Sequence, residues 1–116
     1  HDVATALHAC DVVLMPSRRT ASWEEQFGRV AIEAMMCGRP VVAYATGALP
    51  DVVGEGGILV REGDVRGLAD AVRQLINSPE RRRILGEAAL RWARSRWSIE
   101  RAAETLLGFW EQVLRR

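Results

Sequence analysis

The sequence predicts an α/β fold, a parallel sheet flanked by helices, and three observations carry that prediction. Short apolar runs at residues 11–15, 40–45 and 58–60 are strand-length, and the first, Asp11-Val12-Val13-Leu14-Met15, has the continuous apolar character of a parallel strand covered on both faces. Segments with apolar residues at three- and four-residue spacing stand between and after these runs. Glycine and proline punctuate the joins, as at Gly38-Arg39-Pro40, Gly47 and Gly54-Glu55-Gly56-Gly57.

Taken in order, Asp2 can cap a first short helix running to about Ala9, and the strand at residues 11–15 follows. Residues 16–23 then read as polar loop at a strand's carboxyl end, where open α/β sheets place their ligands; Arg18 and Arg19 read as solvated and Trp23 as packing over the loop. A helix entered near Gln26 is stopped by Gly38 and Pro40, and residues 40–45 give the second strand, so helix between strands makes a βαβ unit. Thr46-Gly47-Ala48 is a tight turn, Leu49–Val53 a single helical turn, and Ile58–Val60 the third strand.

Three more helices close the chain. Asp64 caps one that runs to about Asn77, with Val65, Leu68, Ala69, Val72, Leu75 and Ile76 on its apolar face. Ser78-Pro79-Glu80 opens the next, to about Ser95, where Arg81, Arg82, Arg83, Arg91 and Arg94 alternate with a stripe of Ile84, Leu85, Ala88 and Trp92. Ser98 caps the last, to about Leu114, carrying Ala102, Leu106, Phe109, Trp110 and Val113.

Composition narrows the function. At 116 residues the chain is one domain's worth, and a net charge of +1 gives no electrostatic case for nucleic acid. All 16 Lys or Arg positions are Arg, which leaves no Schiff-base lysine. Cys10 and Cys37 lack metal-ligand spacing and read as buried free thiols in a reducing compartment. No apolar run approaches a membrane span, so a cytoplasmic protein is expected. The basic helix at 79–95 leaves peripheral contact with the inner face of the membrane open, against the plainer reading of a solvated face over a packed stripe.

The chemistry gathers in residues 24–40. On a helical wheel Phe27, Val30, Ala31, Ala34 and Met35 form a stripe expected to be buried, while Gln26, Arg29 and Glu33 form a polar one that starts at the helix N-terminus. Unpaired amides and the positive end of the helix dipole at Gln26 to Val30 suit an anion such as a phosphate, and Gly28 has no side chain to block its approach. Glu33 lies six residues beyond Phe27, roughly 9 Å along the axis. Its carboxylate can accept paired hydroxyl hydrogen bonds, as from a ribose, and Glu25 can do the same on the other side of the phosphates. A nucleotide-diphospho-sugar has its parts in that order. The plainer alternative is that Glu24 and Glu25 complement the dipole and Arg29 with Glu33 is an exposed i, i+4 pair. Arg29 argues against it, because a cation in the first helical turn opposes the dipole and Arg before Glu is the poorer order.

Glu25 and Glu33 are separated by seven residues, with Phe27-Gly28 after the first and Ala34-Met35 after the second. This resembles the E-x7-E motif of retaining, GT-B-type glycosyltransferases of the family-four kind. Pro16-Ser17, Gly38-Arg39-Pro40-Val41-Val42-Ala43, Gly47-Ala48-Leu49-Pro50-Asp51-Val52-Val53 and Gly63-Asp64 are similar to that family's neighbouring blocks in the same order. The family more often has Gly where Ala48 stands and Glu where Asp51 stands.

The resemblance implies a Rossmann-like parallel sheet that is an incomplete half of a GT-B fold. Residues 1–116 would be the C-terminal donor-nucleotide-binding domain, lacking its first strands and the acceptor domain; the chain also opens without an initiator Met, directly into a helical pattern. It implies a hexosyltransferase-type enzyme that, when intact, moves a sugar from a nucleotide-diphospho-sugar to an acceptor hydroxyl with retention, the fragment alone being inactive. By resemblance Glu25 and Arg29 serve catalysis, Phe27, Gly28, Val30, Glu33 and Gly47 bind the donor, and no metal or other cofactor is needed. The partners implied are the donor, an acceptor of unspecified identity, and either the missing N-terminal domain or a second copy to cover the last helix, which in the family crosses back to the first domain. Two other readings stay open: a non-catalytic nucleotide-sugar-binding module, and an interaction module built on the basic C-terminal helices.

Overall fold

The structure, a computed structural model, describes residues 3–115. Three strands, β1 (Val13–Met15), β2 (Val41–Tyr44) and β3 (Ile58–Val60), form a parallel sheet in the order β1-β2-β3. Val13 pairs with Val41 and Met15 with Ala43, while Val42 pairs with Ile58 and Tyr44 with Val60. Central β2 is buried over all four residues, as a strand with partners on both edges and helices on both faces should be.

The helices are α1 (Val3–His8), α2 (Arg29–Met36), α3 (Leu49–Val53), α4 (Val65–Ile76), α5 (Pro79–Trp97) and α6 (Ile99–Leu114), with a 3-10 turn at Gly54–Gly56. Side chains alternate across a strand, and that alternation sorts the core into two layers. Val13, Val41 and Ala43 face the side where Ala31, Ala34 and Met35 of α2, Leu49, Val52 and Val53 of α3, and Ala89 and Ala93 of α5 collect. Val42 faces the other side, against Ala71 and Leu75 of α4. Met35, Leu49 and Leu75 are the largest fully buried side chains. Each contributes about 1.5–3 kcal/mol through burial.

Three helix starts follow the caps in the sequence. The Asp64 carboxylate accepts from the Gly67 N–H at 2.9 Å, the Ser78 hydroxyl from the Arg81 N–H at 3.1 Å, and the Ser98 hydroxyl from the Arg101 N–H at 3.1 Å. The cap expected at Asp2 lies outside the described residues.

Packing departs from the sequence-based expectation at four places. Helix α2 starts at Arg29, not near Gln26, because Gly28 takes a left-handed φ of 60° that no right-handed helix can contain. Phe27 therefore precedes the helix and is 74% exposed, and Val30 on its first turn is 45% exposed, so the buried stripe is Ala31, Ala34 and Met35 only. On α5 the face that touches the core is Gly86, Ala89 and Ala93, with Ile84 exposed and Leu85, Ala88 and Trp92 half-buried. Small residues are needed there: a β-carbon on Gly86 would overlap the Gly38 carbonyl oxygen. Leu14 is 44% exposed, because β1 is an edge strand and α4 leaves Leu14, Val65 and Ile76 open on that side. Cys10 and Cys37 are free thiols, as expected, but half-buried where full burial was expected.

The basic face of α5 is smaller than its sequence suggests. Arg82 donates to the Leu75 and Ile76 carbonyls, closing the end of α4, and Arg83 is held by Glu80 and Glu87. No helix among the described residues is long and apolar enough to cross a membrane. Helix α6 buries nothing: Leu106, Leu107, Phe109, Trp110 and Leu114 are all more than half exposed.

Candidate functional site

Parallel strands deliver their following loops to one end of a sheet, and three loops meet at that end here. They are residues 16–28 after β1, 45–48 after β2 and 61–64 after β3.

Glu25 organises the first loop. One of its carboxylate oxygens accepts from the Gly28 N–H at 3.1 Å and the other from the Ser17 hydroxyl at 3.5 Å, so the side chain caps the turn that leads into α2. Its carbonyl accepts from the Ala48 N–H at 2.8 Å and thereby clamps the first loop to the second. Gly47 makes this clamp possible. Its φ is 53°, and a β-carbon there would overlap the Glu25 carbonyl oxygen.

Gly28 serves a different purpose from the one its sequence context suggests. A β-carbon at Gly28 would sit 3.0 Å from a methyl of Leu49 and 3.3 Å from one of Val52, so the glycine makes room for α3 of the protein itself. Its own N–H is taken by Glu25. The first helical bond is Ile32 N–H to the Gly28 carbonyl, which leaves the N–H groups of exposed Arg29 and Val30 without protein acceptors among the described residues.

Arg29 and Glu33 stand one turn apart on α2, and among the described residues neither side chain makes an ion pair or hydrogen bond. The i, i+4 pair that the spacing permits does not form. Glu25 lines a shallow depression of about 360 Å³ with Trp23, Glu24, Gln26 and Phe27. Glu33 lines a separate groove of about 400 Å³ with Leu7, Ile32, Met36 and Trp97. The structure thus brings Glu25, Gly28 and Gly47 together and sets Glu33 beyond them along α2. Trp23 is half exposed beside Glu25, where packing over the loop was expected.

One acid absent from the sequence-based candidates belongs to this end of the sheet. Glu62, two residues past β3, accepts from the Arg19 N–H at 2.6 Å, and its carboxylate faces the hydroxyl of Thr46, the buried polar side chain just past β2. The Thr46 hydroxyl and the Arg19 N–H, with the charges of Arg18 and Arg19, hold its carboxyl below the usual carboxylate range. Its place just past a strand's carboxyl end is the signal that could have found it. Among the described residues no group of three or more His, Cys, Asp or Glu side chains is arranged to hold a metal ion.

Comparison with known proteins places this geometry. The sequence model of the family described as "Glycosyl transferases group 1" matches residues 1–92. The chain is 40% identical to the D-inositol 3-phosphate glycosyltransferase of Stackebrandtia nassauensis, covering 100% of this chain and 25% of that protein. With the enzyme of the same name from Mycobacterium tuberculosis it shares 38% identity, covering 97% and 23%. Among solved structures, sucrose-phosphate synthase from Thermosynechococcus elongatus superposes with a TM-score of 0.81 at 32% identity, over 97% of this chain and 28% of that one. Anabaena HepE in complex with UDP-glucose superposes with a TM-score of 0.73 at 32% identity, over 93% and 30%. The chain therefore spans about a quarter of the length of the curated relatives it matches.

Proposed function

This chain belongs to the glycosyl transferases group 1 family, and from that membership we propose that it forms the donor-binding part of an enzyme moving a sugar from a nucleotide-diphospho-sugar to an acceptor hydroxyl. Its α/β fold, a parallel sheet with flanking helices, is that of part of a GT-B glycosyltransferase. Complexes of HepE with UDP and with UDP-glucose support a uridine nucleotide as the first donor to try.

The observation that carries the reading is the state of Arg29 and Glu33: opposite charges one turn apart on the helix that leaves the clamped loops, unpaired with each other. In this reading Glu33 takes the ribose hydroxyls. The free N–H groups of Arg29 and Val30 and the backbone at Phe27 and Gly47 face the diphosphate, Gly28 contributes only the turn that presents them, its own N–H being held by Glu25, and Glu25 meets the donor sugar. A departing diphosphate gains negative charge, so Arg29 and fixed dipoles aimed at it stabilise the transition state more than the ground state. Retention at the anomeric carbon, hexose as the transferred sugar and action without a metal belong to the same proposal. Acceptor binding falls to parts of the relatives that this chain does not match, so the chain alone binds donor without transferring it.

Glu33→Ala in the full-length protein tests the ribose role. A carboxylate hydrogen-bonded to hydroxyls contributes about 1.5–3 kcal/mol, so titration calorimetry with UDP-glucose should show at least a tenfold loss of affinity. Unchanged affinity overturns that role. Donor binding without sugar transfer by the full-length protein favours a binding-only module instead. The exposed apolar side of α6 favours one further reading, in which the C-terminal helices are also an interaction surface.

A further inference from the structure

We propose that Glu62 is a positioning residue for the donor diphosphate: its one carboxylate ties the loop after β1 to the loop after β2 and so fixes the turn at Thr46, Gly47 and Ala48. The inference deepens the donor-site reading above and rests on it.

Glu62 follows β3, one edge of the sheet, and Arg19 follows β1, the other edge. The 2.6 Å contact from the Arg19 N–H to Glu62 therefore reaches across the full width of three strands, a span of roughly 10 Å at the usual strand spacing. Between them, Thr46 just past β2 has its hydroxyl facing the same carboxylate. Arg18 completes the bridge by lying across Gly63, where a β-carbon would stand 3.2 Å from a guanidinium nitrogen and where φ is 82°. From the other side the Glu25 carbonyl holds the Ala48 N–H. The turn at residues 46–48 is thus gripped at both ends, by Glu25 in the first loop and by Glu62 in the third.

What Glu62 supplies is position more than stability. Its side chain is exposed, and hydrogen bonds and charge contacts at exposed sites add little to the folding free energy. Without Glu62 the buried Thr46 hydroxyl would face no carboxylate and Arg19 would lose its acceptor, and the turn would be free to relax away from the α2 N-terminus. A ligand that meets both the turn and the N-terminus of α2 would feel that shift; one that meets only Glu33, further along α2, would not.

The test uses the full-length protein that carries this chain, with UDP and uridine as probes and binding followed by ligand-observed NMR. Glu62→Ala should weaken UDP by about tenfold, the scale on which a displaced binding group acts, and leave uridine unchanged. Glu62→Gln, which keeps an oxygen for the Arg19 N–H but loses the charge facing Arg18 and Arg19, should lose less. Should the alanine variant fail to fold, the glutamine variant and Thr46→Val carry the same comparison. Equal changes in UDP and uridine, or no change in either, overturn the positioning role while leaving the donor site standing. A wild-type protein that binds neither UDP nor any other common nucleoside diphosphate overturns both.

Discussion

Helices α2 and α6 carry the same amphipathic signature and meet opposite fates. On α2 the residues Ala31, Ala34 and Met35 are fully buried against strands and against α5. On α6, twice as long and better supplied with large apolar side chains, no residue is buried. An apolar stripe states that a helix needs a neighbour; whether the neighbour is in the same stretch of chain is a separate matter. Small residues let α2 and α5 approach closely, whereas α6 leaves the body of the fold after Ser98 with its apolar arc uncovered.

The sharpest way to break this contrast is to truncate one large side chain on each helix. Met35→Ala should cost about 2–5 kcal/mol in urea unfolding, because a filled core position becomes a cavity. Leu106→Ala should cost under about 0.5 kcal/mol, as surface changes do. A large loss at Leu106 would show that α6 is packed in solution.

Association is the next measure. The uncovered face should drive this chain to self-associate, and replacing Leu106, Phe109 and Trp110 with Gln together should return it to the mass of a monomer in sedimentation. A wild-type chain that already sediments as a stable monomer would mean that the arc needs no cover.

Caps offer a smaller version of the same comparison. Ser78→Ala and Ser98→Ala remove equivalent hydrogen bonds, each worth about 1 kcal/mol to its own helix. Because α5 is part of the core and α6 is not, only Ser78→Ala should lower global stability by that amount. The other should show as faster amide exchange confined to α6. Equal global losses would put α6 inside the cooperative unit.

The smallest effect concerns pH at the start of α5. The hydrogen bond and charge of Arg83 hold the Glu80 carboxyl below its usual range. A carboxylate with a lowered folded pKa contributes stability above its unfolded pKa, and that contribution disappears as pH falls through the folded value. The difference in urea midpoint between the wild type and Glu80→Gln should therefore be present at neutral pH and vanish in acid. A difference that persists in acid would mean that packing, and not charge, is what Glu80 supplies.

Much of the candidate site was legible in the sequence because it is local. The spacing of Glu25 and Glu33 and the glycine at 47 are read along the chain, and the structure places Glu25 and Gly47 on loops at the carboxyl end of the sheet and Glu33 part-way along α2, in a separate groove. Glu62 is marked along the chain only by its place just past β3, and its partners Arg19 and Thr46, 43 and 16 residues away, are joined to it by the fold alone. The purpose of Gly28 was not legible, since it depends on Leu49 and Val52 arriving from α3.

By itself the sequence determined the order of strands and helices and the caps at Asp64, Ser78 and Ser98. Those features come from periodicity and from bonds between residues a few positions apart. Only the tertiary structure decided that α2 begins after a left-handed Gly28, that α5 packs through Gly86, Ala89 and Ala93, and that one carboxylate spans the sheet. Each of these is settled where segments distant in sequence compete for the same space, and close packing gives that space to whichever side chain fits it.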